Sequence, residues 1–184
     1  MPRMSESTDR LNSLISGFDA RVNAASSTSW ANPSPCTDWK ARDVVAHVAN
    51  NLINVAAGLT DSAPQPVGDD EDIVAAWSRA RDGIGTALAT GDLTKNLPSP
   101  MGPMPAEMFI GRFVSMDVLV HTWDLARATG GDESLPADVV AAAYSGLKPM
   151  DAMLRMSGVF GPKVAPASGA DPQTEFLNFL GRTV

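Results

Sequence analysis

Met116-Asp117-Val118-Leu119-Val120-His121-Thr122-Trp123-Asp124-Leu125-Ala126-Arg127 is the stretch that decides how this chain folds and where its chemistry lies. Its apolar residues recur at the three- and four-residue intervals of a helix. Within that pattern Asp117 and His121 stand four apart, on one face and one turn from each other. At about 100° per residue, Phe109, Phe113, Met116, Val120 and Trp123 form one side of a broad apolar arc, and Ile110, Val114, Leu125 and Ala128 the other. Asp117, His121 and Asp124 fall between the two sides, and Gly111, Ser115, Thr122 and Ala126 are assigned to the outer face. A carboxylate inside an apolar arc needs paired charge, hydrogen bonds or a metal. The spacing leaves two readings open. One is a buried network in which Asp117 or Asp124 pairs with His121 while Arg127 caps the helix or neutralises Asp124. The other is half of a metal site.

The same periodicity organises the rest of the chain. It predicts a first helix over about residues 5–27, with Leu11, Leu14, Ile15, Phe18, Val22 and Ala25 at helical spacing. A second, over about 40–59, carries the seam Val45, Val48, Leu52, Val55 and Leu59, the signature of a bundle helix. A third starts near Asp70 and buries Ile73, Trp77, Ala80, Ile84 and Leu88, with Gly83 and Gly85 weakening its end. The fourth runs from about Pro105, a favoured first helical residue, to Thr129 before Gly130-Gly131. A fifth follows Pro136 toward Met156 and is kinked or split at Pro149. After an irregular tail over about 158–170, a short helix over about 173–180 docks through Phe176, Leu177 and Leu180. The loops include 32–39, 60–70 and 97–104, the last with room for one short extended piece. With no alternating strand pattern, repeat or domain boundary, the expectation is a single all-α domain over residues 1–184.

Composition narrows the function. The 184 residues are 44% hydrophobic and 19% charged, the profile of a chain with one full-sized core. A net charge of -7, without any Lys/Arg cluster, argues against nucleic acid as a partner. No apolar run is long enough for a membrane span, and the start lacks a secretory signal, so a reducing cytoplasm is the default expectation. Cys36 is the only cysteine, which excludes an intramolecular disulfide and a cysteine-based zinc cluster. With no cation beside it in sequence, it reads as a buried, inert thiol.

The only other histidine, His47, lies roughly 120° from the centre of the second helix's seam. Asp43, Asn50, Asn51 and Asn54 share its side, which is either a solvated edge or the border of a polar pocket. Asp43 and Asp124 are candidates to orient the imidazoles from behind, although Asp43 in a first helical turn is favoured there regardless. Arg42, Asn51, Asn54 and Arg127 are candidate contacts to an anionic or sugar-like ligand, with surface or helix-end duty as the plainer reading. Trp39 and Trp123 read as packing residues, and the methionines as core filler.

At these residues the chain resembles a known family. Pro35-Cys36-Thr37-Asp38-Trp39-Lys40-Ala41-Arg42-Asp43-Val44-Val45-Ala46-His47 is similar to the Pro-Cys-x-x-Trp-x-x-x-Asp-Leu-Val-x-His opening of DinB-like metal-binding proteins. More narrowly, it resembles the branch containing the N-terminal domain of mycothiol-dependent maleylpyruvate isomerase. Asp117-Val-Leu-Val-His121-Thr-Trp-Asp-Leu-Ala126 resembles that branch's carboxylate-x-x-x-His block, and Phe176-Leu-Asn-Phe-Leu-Gly-Arg182 the close of its short members. The resemblance implies a DinB-like four-helix bundle with an added short C-terminal helix. It also implies a divalent metal, zinc first and nickel, iron or manganese as other occupants, held by His47, Asp117 and His121. The isomerase has glutamate in place of Asp117 and a second domain after the bundle. The activity expected here is therefore general: mycothiol-dependent S-transfer or isomerisation of a small electrophilic substrate. A non-catalytic metal- or ligand-binding module in sensing or stress response is the alternative. Homodimerisation through an outer helix face is compatible with the pattern.

Overall fold

A computed structural model describes residues 5–156 and 161–184. Helix α1, Glu6–Ala24, starts where the Ser5 hydroxyl accepts the Thr8 amide. Helix α2, Ala41–Thr60, starts at Lys40, and Asp43 turns back to accept the Lys40 amide at 2.8 Å. Asp72 caps α3, Ile73–Thr90, by accepting the Ala75 amide. The stretch after Pro105 begins as α4, Ala106–Phe109, passes through a π-helical turn at Ile110–Val114, and continues as α5, Ser115–Thr129. Gly130, at φ 70°, ends it in the left-handed conformation that glycine adopts without strain. The extended piece expected before α4 is a two-residue antiparallel ladder, Asn96–Leu97 (β1) against Met104–Pro105 (β2).

Four helices form the all-α bundle. α1 packs on α5 and α3, and α2 packs on α5 and α3, closing a ring. Leu11, Phe18, Val44, Val48, Leu52, Trp77, Ile84, Leu119 and Trp123 fill its centre. The chain groups into two compact units that meet in sequence at Asp132 and Glu133, and the bundle belongs to the first. The second contains α6, Ala137–Leu147, a tight turn at Lys148–Met150, α7, Asp151–Met156, and α8, Pro172–Phe179. Pro149 splits α6 from α7 as its missing amide requires. Tyr144 packs against Phe176 and Phe179, and Phe176, Leu177 and Leu180 are buried. The irregular tail expected over 158–170 falls partly outside the described residues; from 161 to 171 it holds neither helix nor strand. No described helix is long and apolar enough to cross a membrane.

The π-helical turn corrects the helical map of the fourth stretch. The Ser115 amide bonds to the Ile110 carbonyl, five residues back, so one extra residue enters the turn. Everything before it is rotated by about 100° relative to a continuous α-helix. Phe109 and Phe113, placed inside by the uninterrupted map, are only half-buried, with ring centroids 5.6 Å apart. Ser115, Thr122 and Ala126, placed outside, are buried. α5 has neighbours on two sides and is enclosed nearly all round from Val118 to Ala126. Thr122 tolerates this because its hydroxyl donates to the Val118 carbonyl at 2.7 Å.

Leu52 sits at the centre of the bundle without solvent contact. Its replacement by alanine is expected to lower the unfolding free energy by about 2–5 kcal/mol. Asn54→Ala, at an exposed position on the same helix, is expected to change it by less than about 0.5 kcal/mol. Urea unfolding of chelator-treated protein, followed by circular dichroism, measures both.

Candidate metal centre

Two helices bring the candidate ligands together. α2 is a corner helix packed on both α3 and α5, so its buried arc is wider than its seam, and Ala41 and Val44 are enclosed as well. His47 and Asn51 stand one turn apart at the edge of that arc and meet α5. His47 Nε2 lies 3.0 Å from Asp117 Oδ1, and His121 Nε2 lies 3.4 Å from the same oxygen. The Asn51 side-chain amide donates to Asp117 Oδ2 at 3.0 Å and lies 3.0 Å from His47 Nε2. The two imidazoles meet edge to face, with centroids 4.8 Å apart.

His121 is held from behind. Its Nδ1 donates to Asp124 Oδ2 at 2.9 Å, which leaves Nε2 to face Asp117. Cys36 donates its S–H to the same Asp124 oxygen at 3.3 Å, and its sulfur lies 3.9 Å from His121 Nδ1. Trp39 lies across both histidines, 4.9 Å from the His47 ring and 5.9 Å from that of His121. Both Cys36 and Trp39 come from the loop ahead of α2.

Exposure falls across the group: 31% for the His47 side chain, 25% for Asp117, 11% for His121 and none for Asp124. The centre is open on the His47 side and closed on the Asp124 side. Burial pushes the Asp117 carboxyl up, but hydrogen bonds from His121 and His47, with their charges, hold it well below the usual carboxylate range. Burial likewise pulls His121 down, and its hydrogen bonds to Asp117, Asp124 and Cys36 raise it well above the usual imidazole value.

The donor set suits a divalent ion. One Asp117 oxygen and the Nε2 atoms of His47 and His121 all lie within 4.8 Å of one another. Nitrogen and oxygen ligands at about 2.0–2.2 Å around tetrahedral zinc would stand roughly 3.4 Å apart, close to the 3.0 and 3.4 Å found here. His47 Nε2 also faces an amide donor and a carboxylate acceptor at equal distance. No protonation state of that nitrogen serves both, whereas a cation between the lone pairs of His47 and Asp117 removes the conflict.

The remaining candidates take other places. Asp43 caps α2 through the Lys40 amide. Asn54 is exposed, and exposed Arg127 lays its guanidinium 4.7 Å from the Trp123 ring centroid. Arg42 donates to the carbonyls of Gly68, Asp69 and Glu71, fastening the α2–α3 loop. Cys36 is half-exposed, not buried, and is hydrogen-bonded to the cluster. Trp39 roofs both imidazoles, a role beyond packing. Its place eight residues before His47, on the loop that starts α2, is the signal that could have suggested this.

With this geometry established, known proteins provide comparisons. The model of the mycothiol maleylpyruvate isomerase N-terminal domain matches residues 11–126, a span that includes every residue of the cluster. Two curated, uncharacterised proteins of Mycobacterium tuberculosis, from strains H37Rv and CDC 1551, are each 30% identical over 157 residues, covering 83% of this chain and 84% of theirs. The crystal structure of the mycothiol-dependent maleylpyruvate isomerase aligns with a TM-score of 0.55 over 82% of this chain and 72% of that one. At 16% identity, that likeness is one of fold.

The pKa shifts set the pH response of the metal-free protein. A raised native pKa means that the contribution of His121 is complete below about 6.5 and lost as pH rises through the native value. The depressed Asp117 contributes fully above about 3.9, and its share is lost as pH falls through its native value. In chelator, the melting temperature should therefore fall as pH is raised above about 6.5, and His121→Gln should flatten that slope. Melting curves across pH for both proteins check it; parallel slopes would contradict the assignment.

Proposed function

Because the chain belongs to the mycothiol maleylpyruvate isomerase N-terminal domain family, we propose that it is a divalent-metal protein acting with a low-molecular-weight thiol. Mycothiol is the thiol that the family name points to. The chemistry is isomerisation of a small electrophilic substrate or S-transfer to it, in a reducing cytoplasm. The observation that carries this reading is the convergence of the His47, Asp117 and His121 donor atoms on the solvent-open side of a cluster whose far side is sealed. Three protein ligands with an open side are the arrangement of a catalytic site; a structural zinc site is closed by four. Zinc is the first choice of ion for two imidazoles and a carboxylate, with nickel, iron and manganese as other occupants. Such an ion, when bound, holds a coordinating thiol in its deprotonated form.

The chain's own residues have definite tasks in this scheme. Asp124 fixes the His121 tautomer, so that Nε2 carries the lone pair toward the open side. Asn51 grips Asp117 Oδ2 and leaves Oδ1 for the ligand role. Trp39 covers the two imidazoles and limits water on their faces.

Untagged protein is expected to bind about one equivalent of zinc, and His121→Ala or Asp117→Ala to bind less than about a tenth of that. Ligation displaces the His121 proton, so zinc affinity should rise by about tenfold per pH unit below the native His121 pKa. Zinc-loaded protein should consume mycothiol in the presence of small electrophiles, read by thiol titration. Zinc binding without thiol consumption across a broad panel of electrophiles would make the chain a metal-binding module instead.

A further inference from the structure

Cys36 has no part in the chemistry proposed above, yet the loop that carries it is closely built. Ser34 and Trp39 are joined by the Ser34 amide and the Trp39 carbonyl at 2.9 Å, and the Trp39 amide donates to the Cys36 carbonyl at 3.1 Å. The Cys36 amide donates to the Ser34 hydroxyl at 3.2 Å. Asp38 turns the chain at φ 64°, in the left-handed region. At the loop's base the Ala41 amide donates to the Asn32 carbonyl, and the Asn32 side chain donates to the Ala128 carbonyl near the end of α5. The loop is thus tied to both helices that supply the candidate ligands, and it delivers the Cys36 thiol to Asp124 Oδ2, with His121 Nδ1 3.9 Å from the sulfur.

We infer that Cys36 is a positioning residue: its S–H, with His121 Nδ1–H, holds the Asp124 carboxylate in place and so aims His121 Nε2 at the metal position. The inference rests on the metal reading above. Asp124 has no solvent contact, so its carboxylate depends on donors from the protein and not on water. A thiol is a weak donor to a neutral acceptor but a stronger one to a carboxylate. The oxygen that Cys36 contacts is the one that receives the His121 proton donor, so a shift of Asp124 is passed directly to the imidazole. Cys36 sits beside Nδ1, whereas the candidate ligand atom of His121 is Nε2. The thiol therefore acts through Asp124 and not as a ligand.

Zinc affinity by chelator competition, together with the visible spectrum of cobalt-substituted protein, tests this in wild type, Cys36→Ala, Cys36→Ser, Asp124→Asn and the Cys36→Ala/Asp124→Asn pair. Cys36→Ala is expected to weaken zinc binding by about tenfold, the lower end for outer-shell partners. Cys36→Ser, which keeps a donor, should restore affinity to within about threefold of wild type. In the Asp124→Asn background, Cys36→Ala should add little, because both changes remove one coupled interaction. The cobalt spectrum of wild type should lack a sulfur-to-cobalt charge-transfer band. Unchanged affinity in Cys36→Ala, equal losses in Cys36→Ala and Cys36→Ser, full additivity with Asp124→Asn, or a sulfur charge-transfer band would each overturn the inference. Failure of wild type to bind zinc or cobalt would instead overturn the metal reading and this inference with it. Melting curves in chelator separate a folding defect from a metal effect, and if Cys36→Ala does not fold, Cys36→Val serves as the donor-free variant.

Discussion

Asp124 is completely enclosed, and a carboxylate without water must be met by donors or lose its charge. The surrounding structure follows from that constraint. His121 and Cys36 both direct hydrogens at its Oδ2 atom. Because His121 spends Nδ1 there, its other nitrogen turns toward Asp117 and the open side. Because Cys36 must reach the same oxygen, the loop ahead of α2 folds over the cluster and brings Trp39 across both rings. A polar group that would be destabilising alone becomes the link between α5 and the loop ahead of α2.

Much of the bundle is legible in the sequence because periodicity reports burial directly. The seam of α2, the inner faces of α1 and α3, the break at Pro149 and the stop at Gly130 all appear where spacing and backbone chemistry require. The π-helical turn at Ile110–Val114 is not legible, since one extra residue in a turn leaves no compositional mark. Extrapolating one helical wheel through it misplaces Phe109 and Phe113, whereas Ser115, Thr122 and Ala126 are buried because α5 has neighbours on two sides. The error stays local to the wheel: Asp117, His121 and Asp124 all follow the turn, so their mutual spacing is read correctly.

The candidate site shows the complementary limit. Residues on one helix, Asp117, His121 and Asp124, can be grouped by arithmetic. Partners from other elements cannot. His47 looks peripheral to its own helix's seam, because the seam describes one direction of burial while α2 packs in two. Family resemblance supplies His47 as a ligand candidate, and the fold supplies the reason, since the edge that looks solvated borders α5. Cys36 and Trp39 lie on a loop whose course follows no period, so their convergence on His121 is visible only in three dimensions. The aspartate at position 117, where the resembled isomerase has glutamate, reaches both imidazole nitrogens despite its shorter side chain.

The charges of the cluster bear on why an open side and a sealed side occur together. With Asp117 held well below the usual carboxylate range and His121 well above the usual imidazole value, these two groups form an ion pair in the metal-free protein, and Asp124 accepts two hydrogens at one oxygen. Negative charge in a half-enclosed place would repel an incoming thiolate more strongly than it would in bulk water. A divalent ion held by His47, Asp117 and His121 in place of the His121 proton would add positive charge there and offset the carboxylates. An anionic sulfur could then approach from the exposed His47 side, while Asp124 would hold the His121 orientation from the buried side. A second buried carboxylate makes poor sense if the cluster is only an ion pair between Asp117 and His121. It makes sense where the imidazole must be held on one nitrogen so that the other remains free to bind.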